Sequence, residues 1–235
     1  MIPKINHVPK YDVVIPSTGK EVRFRPYLVK EEKVLLTAFQ SQDRKSGLKA
    51  IVDTIAACID DEIDIRKLTM YDVEYLFTKI RSKSAGEKAN ITVKCSKCKT
   101  ANPVEVDIDN VTMEAKEQQK RIQLTDEISV DIGYPSYVAL LSNDRLMNAT
   151  ERHNKVINTI AESLITIYTD EEKINVKEES QEELISFVES LDDKQFTELR
   201  KFIENGPRMV YNIDFKCVSC GHDNHNEVKE AEDFF

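Results

Sequence analysis

The chain has 235 residues, 33 Lys or Arg against 42 Asp or Glu and a formal charge of −9, a balance that excludes a protein coating nucleic acid by bulk charge. Hydrophobic residues at 40% and charged residues at 32% match globular usage, so a packed core is expected, with room for one large domain or two small ones. Six glycines and no tryptophan argue against barrels, propellers and glycine-rich phosphate loops and leave a helix-rich mixed chain.

Residues 11–16 and 21–25 alternate in polarity around Ser17-Thr18-Gly19-Lys20, which predicts a β-hairpin with Val13, Ile15, Val22 and Phe24 on one face. After Pro26, residues 30–40 carry Val34, Leu35, Ala38 and Phe39 at helical spacing. Leu48, Ile51, Val52, Ile55, Ala56 and Ile59 then form the stripe of an amphipathic helix. Thr69 with Asp72 is a capping-box signal for a third helix through Val73, Leu76 and Ile80, closed by Gly86. Ile91 to Lys94, a CxxC, and the alternating Val104, Val106 and Ile108 follow.

The second half repeats this order. Residues 122–124 and 128–132 predict a hairpin around Thr125-Asp126-Glu127, and Val156-Ile157-Asn158-Thr159-Ile160-Ala161 matches Ile51-Val52-Asp53-Thr54-Ile55-Ala56 with three of six residues identical. Ser180 with Glu183 and Asp192 with Gln195 mark two more helix starts, Gly206-Pro207 stops the last one, and Met209 to Phe215 leads into a second CxxC. A gapless alignment of Asn90–Val106 with Asn212–Val228 gives eight identities in seventeen positions. The expected fold class is therefore α+β, a helix-rich internal duplication with repeats at 1–115 and 116–235 and a join near 111–120.

Four of the five cysteines form Cys95-x2-Cys98 and Cys217-x2-Cys220. A two-residue gap turns both sulfurs of a knuckle onto one cation, and two knuckles complete the tetrahedron that zinc prefers. Each pair sits between a strand and a return strand, as in a zinc ribbon, so we expect one structural zinc per chain stapling the repeats across the 118 residues between Cys98 and Cys217. Four thiolates around Zn²⁺ leave a net charge of about −2, which Lys94, Lys97, Lys99 and Lys216 are placed to offset. With all four positions filled by protein, a catalytic zinc is disfavoured. Local disulfides do not suit a reducing cytosol, and a redox CxxC lacks its thioredoxin-like context. His222 and His225 are the alternative ligands; Cys58, beside its helix stripe, reads as a small buried hydrophobe.

Enzyme signatures are not found. Thr18-Gly19-Lys20 lacks the upstream glycine of a phosphate loop, with Glu21 where Ser or Thr would bind magnesium, and Asp60-Asp61-Glu62 with Asp64 lacks the glycine of a calcium loop. His7 and His153 stand in no local motif, and no nucleophile and base can be paired. No apolar run approaches the ~20 residues of a membrane span, and the N-terminus has no apolar signal-peptide core, so synthesis in the cytosol is expected and no membrane or small-molecule partner is. The charge is uneven: residues 1–50 hold ten Lys or Arg and five Asp or Glu, or +5, leaving −14 for the rest. Arg23, Arg25, Lys30 and Lys33 are the candidate partner-binding residues, with Arg23 and Arg25 on the outward face of their strand. The acidic tail from Glu227, ending in Phe234-Phe235, is a second candidate contact.

At Ile15-Pro16-Ser17-Thr18-Gly19-Lys20-Glu21-Val22-Arg23-Phe24-Arg25-Pro26-Tyr27-Leu28-Val29-Lys30-Glu31-Glu32-Lys33, and through Glu74 to Phe77 and Lys79 to Ser84, the sequence resembles the baseplate hub subunit and hub assembly family of T-even-type contractile-tailed bacteriophages. The resemblance covers the whole chain and implies a non-enzymatic protein of tail morphogenesis. Its partners would be other tail or hub proteins, met in the host cytoplasm and then, if the chain is retained, in the virion baseplate. It transfers no catalytic residues, so the zinc expectation rests on the cysteines alone. The alternatives are a transient chaperone for tape-measure or hub proteins and a zinc-ribbon nucleic-acid module, which the acidic body disfavours.

Overall fold

In a computed structural model the described residues are 8–41, 43–109, 112–114, 118–139 and 148–228; His7 and the Phe234-Phe235 end of the tail lie outside them. The chain packs as two compact units, Met1–Glu114 with Arg208–Phe235, and Ala115–Pro207. This packing division differs from the repeat boundary at 115/116, because the last hairpin joins the first unit, which thereby contains both CxxC motifs.

The first unit opens with the antiparallel hairpin β1 (Tyr11–Val14) and β2 (Glu21–Phe24). Its alternation places Val13, Ile15, Val22 and Phe24 inside, all at most 7% exposed. The turn is anchored where the Ser17 N–H donates to Asp72, whose carboxylate also caps α3 (Met70–Ala85) through Thr69. Between them lie α1 (Val29–Gln40) and α2 (Arg44–Cys58), which Asp43 caps by accepting from Lys45 and Ser46.

Two helical stripes are rotated from expectation. In α1, Leu35 and Glu31 are buried while Val34 is 53% exposed, because the salt bridge of Glu31 to Arg25 draws that face inward. In α2, Ala56 is exposed, whereas Thr54 and Cys58 are buried, Thr54 by returning its hydroxyl to the Ala50 carbonyl. Immediately after α2, Ile59 forms an isolated antiparallel bridge with Phe24, and the Arg25 N–H donates to the Cys58 carbonyl at 2.9 Å.

Two hairpins complete this unit: β3 (Lys88–Lys94) with β4 (Ala101–Asp107), and β10 (Arg208–Lys216) with β11 (Asp223–Val228). The short strand β5 (Thr112–Glu114), in the region read as a join, adds to the edge of β10. Ala89, Ile91, Val106, Ile108, Met209, Tyr211 and Ile213 bury one shared cluster, so the two knuckle-bearing hairpins face each other across an apolar layer. The Tyr211 hydroxyl, inside this core, bonds Thr78 of α3 at 3.1 Å.

The second unit is a four-stranded antiparallel sheet in the order β6 (Arg121–Gln123), β7 (Ser129–Ile132), β8 (Leu164–Tyr168), β9 (Lys173–Asn175). Helices α4 (Ala149–Ser163), α5 (Gln181–Glu189) and α6 (Asp193–Glu204) cover it, burying Val130, Ile132, Ile160, Leu199 and Phe202. The expected caps are present: Ser180 with Glu183 and Asp192 with Gln195 each form a reciprocal box. Strands β8 and β9 have no counterpart in the sequence reading. Strand β8 begins at the residue after α4, where Leu164 pairs with Ile132 and the Gly133 N–H donates to the Ser163 carbonyl at 2.8 Å.

Candidate metal centre

Each CxxC occupies the turn of a hairpin, and the two turns have the same backbone. The Cys95 N–H donates to the Thr100 carbonyl and the Lys99 N–H to the Cys95 carbonyl, at 2.9 and 3.0 Å. In the second knuckle, the Cys217 N–H donates to the His222 carbonyl and the Gly221 N–H to the Cys217 carbonyl, both at 2.9 Å. Closing such a turn needs a left-handed residue after the second cysteine: Gly221 has φ 68° and Lys99 holds 62° without being glycine.

The facing hairpins bring the four sulfurs together. Cys95 Sγ lies 3.8 Å from Cys220 Sγ, Cys98 Sγ lies 3.6 Å from Cys217 Sγ, and all four ligand atoms fall within 4.8 Å of one another. Cys95 and Cys217 are buried while Cys98 and Cys220 are exposed, so the first cysteine of each knuckle is inside and the second faces solvent. Among the described residues this is the group of Cys, His, Asp or Glu able to hold a metal ion. His225 is instead paired with Asp214 at 2.7 Å, and His222 contributes its backbone to the turn.

The surroundings favour thiolates unequally. Backbone N–H groups of Cys98 and then Lys97, with the Asn224 side chain, outweigh burial and pull Cys95 down to about 6. The hydroxyl and backbone N–H of Thr100 lower Cys98. For Cys220, the His222 N–H favours the anion, yet the neighbouring thiol of Cys98, burial, and then Cys217 and Cys95 push it up to about 12. Four thiols this close cannot all ionise without a cation between them, and a divalent ion held there would supply the missing charge.

Two further side chains complete the site. Asn102 on β4 accepts the Val218 N–H at 2.9 Å, and Asn224 on β11 accepts the Ser96 N–H at 2.8 Å. Each therefore ties the residue after the first cysteine of the opposite knuckle. The sequence signal for them is their place among the eight identities of the knuckle alignment, which carries no chemical reading by itself.

The expected partner-binding residues separate. Arg23, Lys30 and Lys33 are exposed. Arg25 is turned inward, donating to Glu31 at 3.0 Å and to the carbonyls of Ala57 and Pro26, because it follows the end of β2 at the bridge to α2. The acidic loop lies against the same hairpin: Lys10 pairs with Asp60 at 2.8 Å, and Asp61 accepts the Arg23 N–H. Cys58 is fully buried, and its burial pushes the thiol up to about 11.

No helix of the described residues is long and apolar enough to cross a membrane. A family model described as T4 bacteriophage base plate protein matches residues 8–235. No curated protein and no solved structure matches the chain.

Proposed function

The chain belongs to the T4 bacteriophage base plate protein family, and from that premise we propose that it is a non-enzymatic component of the baseplate hub, built into the hub or acting in its assembly. The family match carries the reading, and it implies a location in the virion tail and partners among baseplate proteins. The hub assignment adds the N-terminal resemblance over residues 15–33.

The second element of the proposal is one structural zinc bound by Cys95, Cys98, Cys217 and Cys220. A regular tetrahedron of sulfurs ~2.3 Å from zinc has edges of about 3.8 Å, and the cross-knuckle separations of 3.8 and 3.6 Å support this reading. The all-cysteine donor set suits a soft, tetrahedral ion in a closed structural site.

The third element is the internal duplication, with repeats at 1–115 and 116–235. It is supported by the identical knuckle turns, and by matched helices α2 and α4, each followed at once by a residue paired to the second strand of the preceding hairpin. The 3₁₀ turns Ile65–Lys67 and Val176–Glu178 also correspond, each capped by Asp64 or Asn175 and followed by the boxes Thr69-Asp72 and Ser180-Glu183.

Docking is assigned to the exposed Arg23, Lys30 and Lys33, whose charge fits an acidic surface of another baseplate protein. Mass spectrometry of purified particles beside infected-cell lysate tests the hub reading. Recovery in stoichiometric amount with the finished baseplate supports a built-in component; presence in lysate and absence from particles identifies a transient assembly factor instead.

A further inference from the structure

We infer that Asn102 and Asn224 form a reciprocal clasp that holds the two cysteine knuckles in register without an ion, so that the four thiols are presented as a preformed site. Both asparagines take the second position of a return strand, β4 or β11, directly behind a knuckle turn. Both are buried, at 1% and 2% exposure, where an unpaired amide is costly and a paired one fixes geometry.

The pairing assigns each amide one orientation. Asn102 Oδ1 accepts the Val218 N–H while Nδ2 donates to the carbonyls of Thr100 and Val93. Asn224 Oδ1 accepts the N–H and hydroxyl of Ser96 while Nδ2 donates to the His222 carbonyl. A flipped amide would set two donors against each other at Val218 or Ser96 and two oxygens against each other at Thr100 or His222, so neither can turn over without losing its bonds. Each asparagine thus joins its own turn, through Thr100 or His222, to the peptide that follows Cys217 or Cys95 of the other turn. The thiols cannot drift apart while both bonds persist.

The residue chemistry is specific. Leucine would fill the space and leave the Val218 or Ser96 N–H without its acceptor at a part-buried bond. Aspartate would keep the acceptor, lose the donors, and bring a negative charge towards a cluster that carries about −2 when zinc is bound. Asn102 and Asn224 are positioning residues: both act on the sulfurs through the turn backbone, and Asn224 also bonds the Cys95 sulfur with its side chain. The clasp stands without the zinc reading; its effect on metal retention rests on it.

The test is residue-resolved amide exchange on the full chain, reduced and stripped of metal by chelation, followed by metal release from the reloaded protein. The Val218 and Ser96 N–H groups are expected to stay protected in the stripped protein. Asn102→Ala should release Val218 and leave Ser96 protected, and Asn224→Ala should do the converse, a crossed pattern that general destabilisation does not produce. Each variant reloaded with zinc should lose it to a competing chelator about 10- to 100-fold faster than the unaltered chain. Unprotected Val218 and Ser96 amides in the stripped, unaltered protein would overturn the clasp, and that measurement needs no variant to fold. Equal release rates in variants and unaltered chain would overturn its effect on retention. If no metal is taken up, the zinc reading fails while the exchange pattern still decides the clasp.

Discussion

Arg25 and Glu31 are locked together at 3.0 Å with side-chain exposures of 18% and 9%, which makes the arginine part of the fold and sets it apart from the exposed Arg23, Lys30 and Lys33 of the proposed docking surface. The sequence places it one residue beyond β2, where strand alternation no longer governs direction and the bridge from Phe24 to Ile59 brings α2 close enough for the Ala57 carbonyl to receive the guanidinium. Arg25→Ala leaves the buried Glu31 carboxylate with only the exposed Lys30, 3.3 Å away, as a charged partner. A loss of about 2–3 kcal/mol is expected, measured by chemical denaturation.

Glu31 also sets a pH dependence. Burial opposes its ionisation, but the Leu28 N–H and then Arg25 outweigh that and hold its carboxyl below the ordinary range. A folded value below the unfolded one means that the ionised form adds stability at neutral pH. That contribution fades as pH falls from about 4.3, the ordinary glutamate value, through the folded value. Glu31→Gln should be less stable at pH 7 and show a shallower loss of stability in acid, measured by denaturation at a series of pH values.

The docking assignment separates from the fold at the remaining cations. Replacing Arg23 and Lys33 by Glu should leave circular dichroism and metal content unchanged, since both side chains are exposed. Finished-tail yield in a complementation assay is expected to drop. Normal yield from this double reversal would exclude that surface from the mechanism.

Much of this organisation was legible in the sequence because it depends on local signals. The hairpin at Tyr11–Phe24, the Thr69, Ser180 and Asp192 caps and the CxxC pairs are short motifs, and the structure has each where the spacing put it. What escaped depends on strand neighbours and on buried polar bonds, which an apolar pattern does not display. Strand β8, Leu164–Tyr168, starts with no turn residue after α4, so its β-branched run reads as a continuation of the helix until the pairing with β7 and β9 is in place. The faces of α1 and α2 were rotated by Glu31 and Thr54, polar residues that are buried because each finds a bond inside. Asn102 and Asn224 look like ordinary hairpin residues until the opposite knuckle is in place.

The matched helices give a core prediction. Ile55 and Ile160, matched in the sequence comparison of the two halves, are each 0% exposed, so Ile55→Ala and Ile160→Ala should each cost about 2–5 kcal/mol. Ala56 is exposed, and Ala56→Ser should stay within about 0.5 kcal/mol. Denaturation curves of the three variants check the rotation of α2 directly.

Thiol reactivity distinguishes the fifth cysteine from the quartet. In reduced, metal-stripped protein Cys98, exposed and with its thiol lowered by Thr100, should react first with a thiol reagent, ahead of Cys220, which is exposed but has its thiol pushed up to about 12. Cys58, with its thiol pushed up to about 11 by burial, should react only on unfolding. Peptide mapping of the labelled sites reads the order.

The central claim is that Cys95, Cys98, Cys217 and Cys220 hold one structural zinc. Elemental analysis of reduced, folded protein beside its Cys95→Ser and Cys217→Ser variants tests it most directly. The account predicts one zinc per chain in the unaltered protein and a marked loss in both variants; folded, reduced protein with no stoichiometric metal would contradict it.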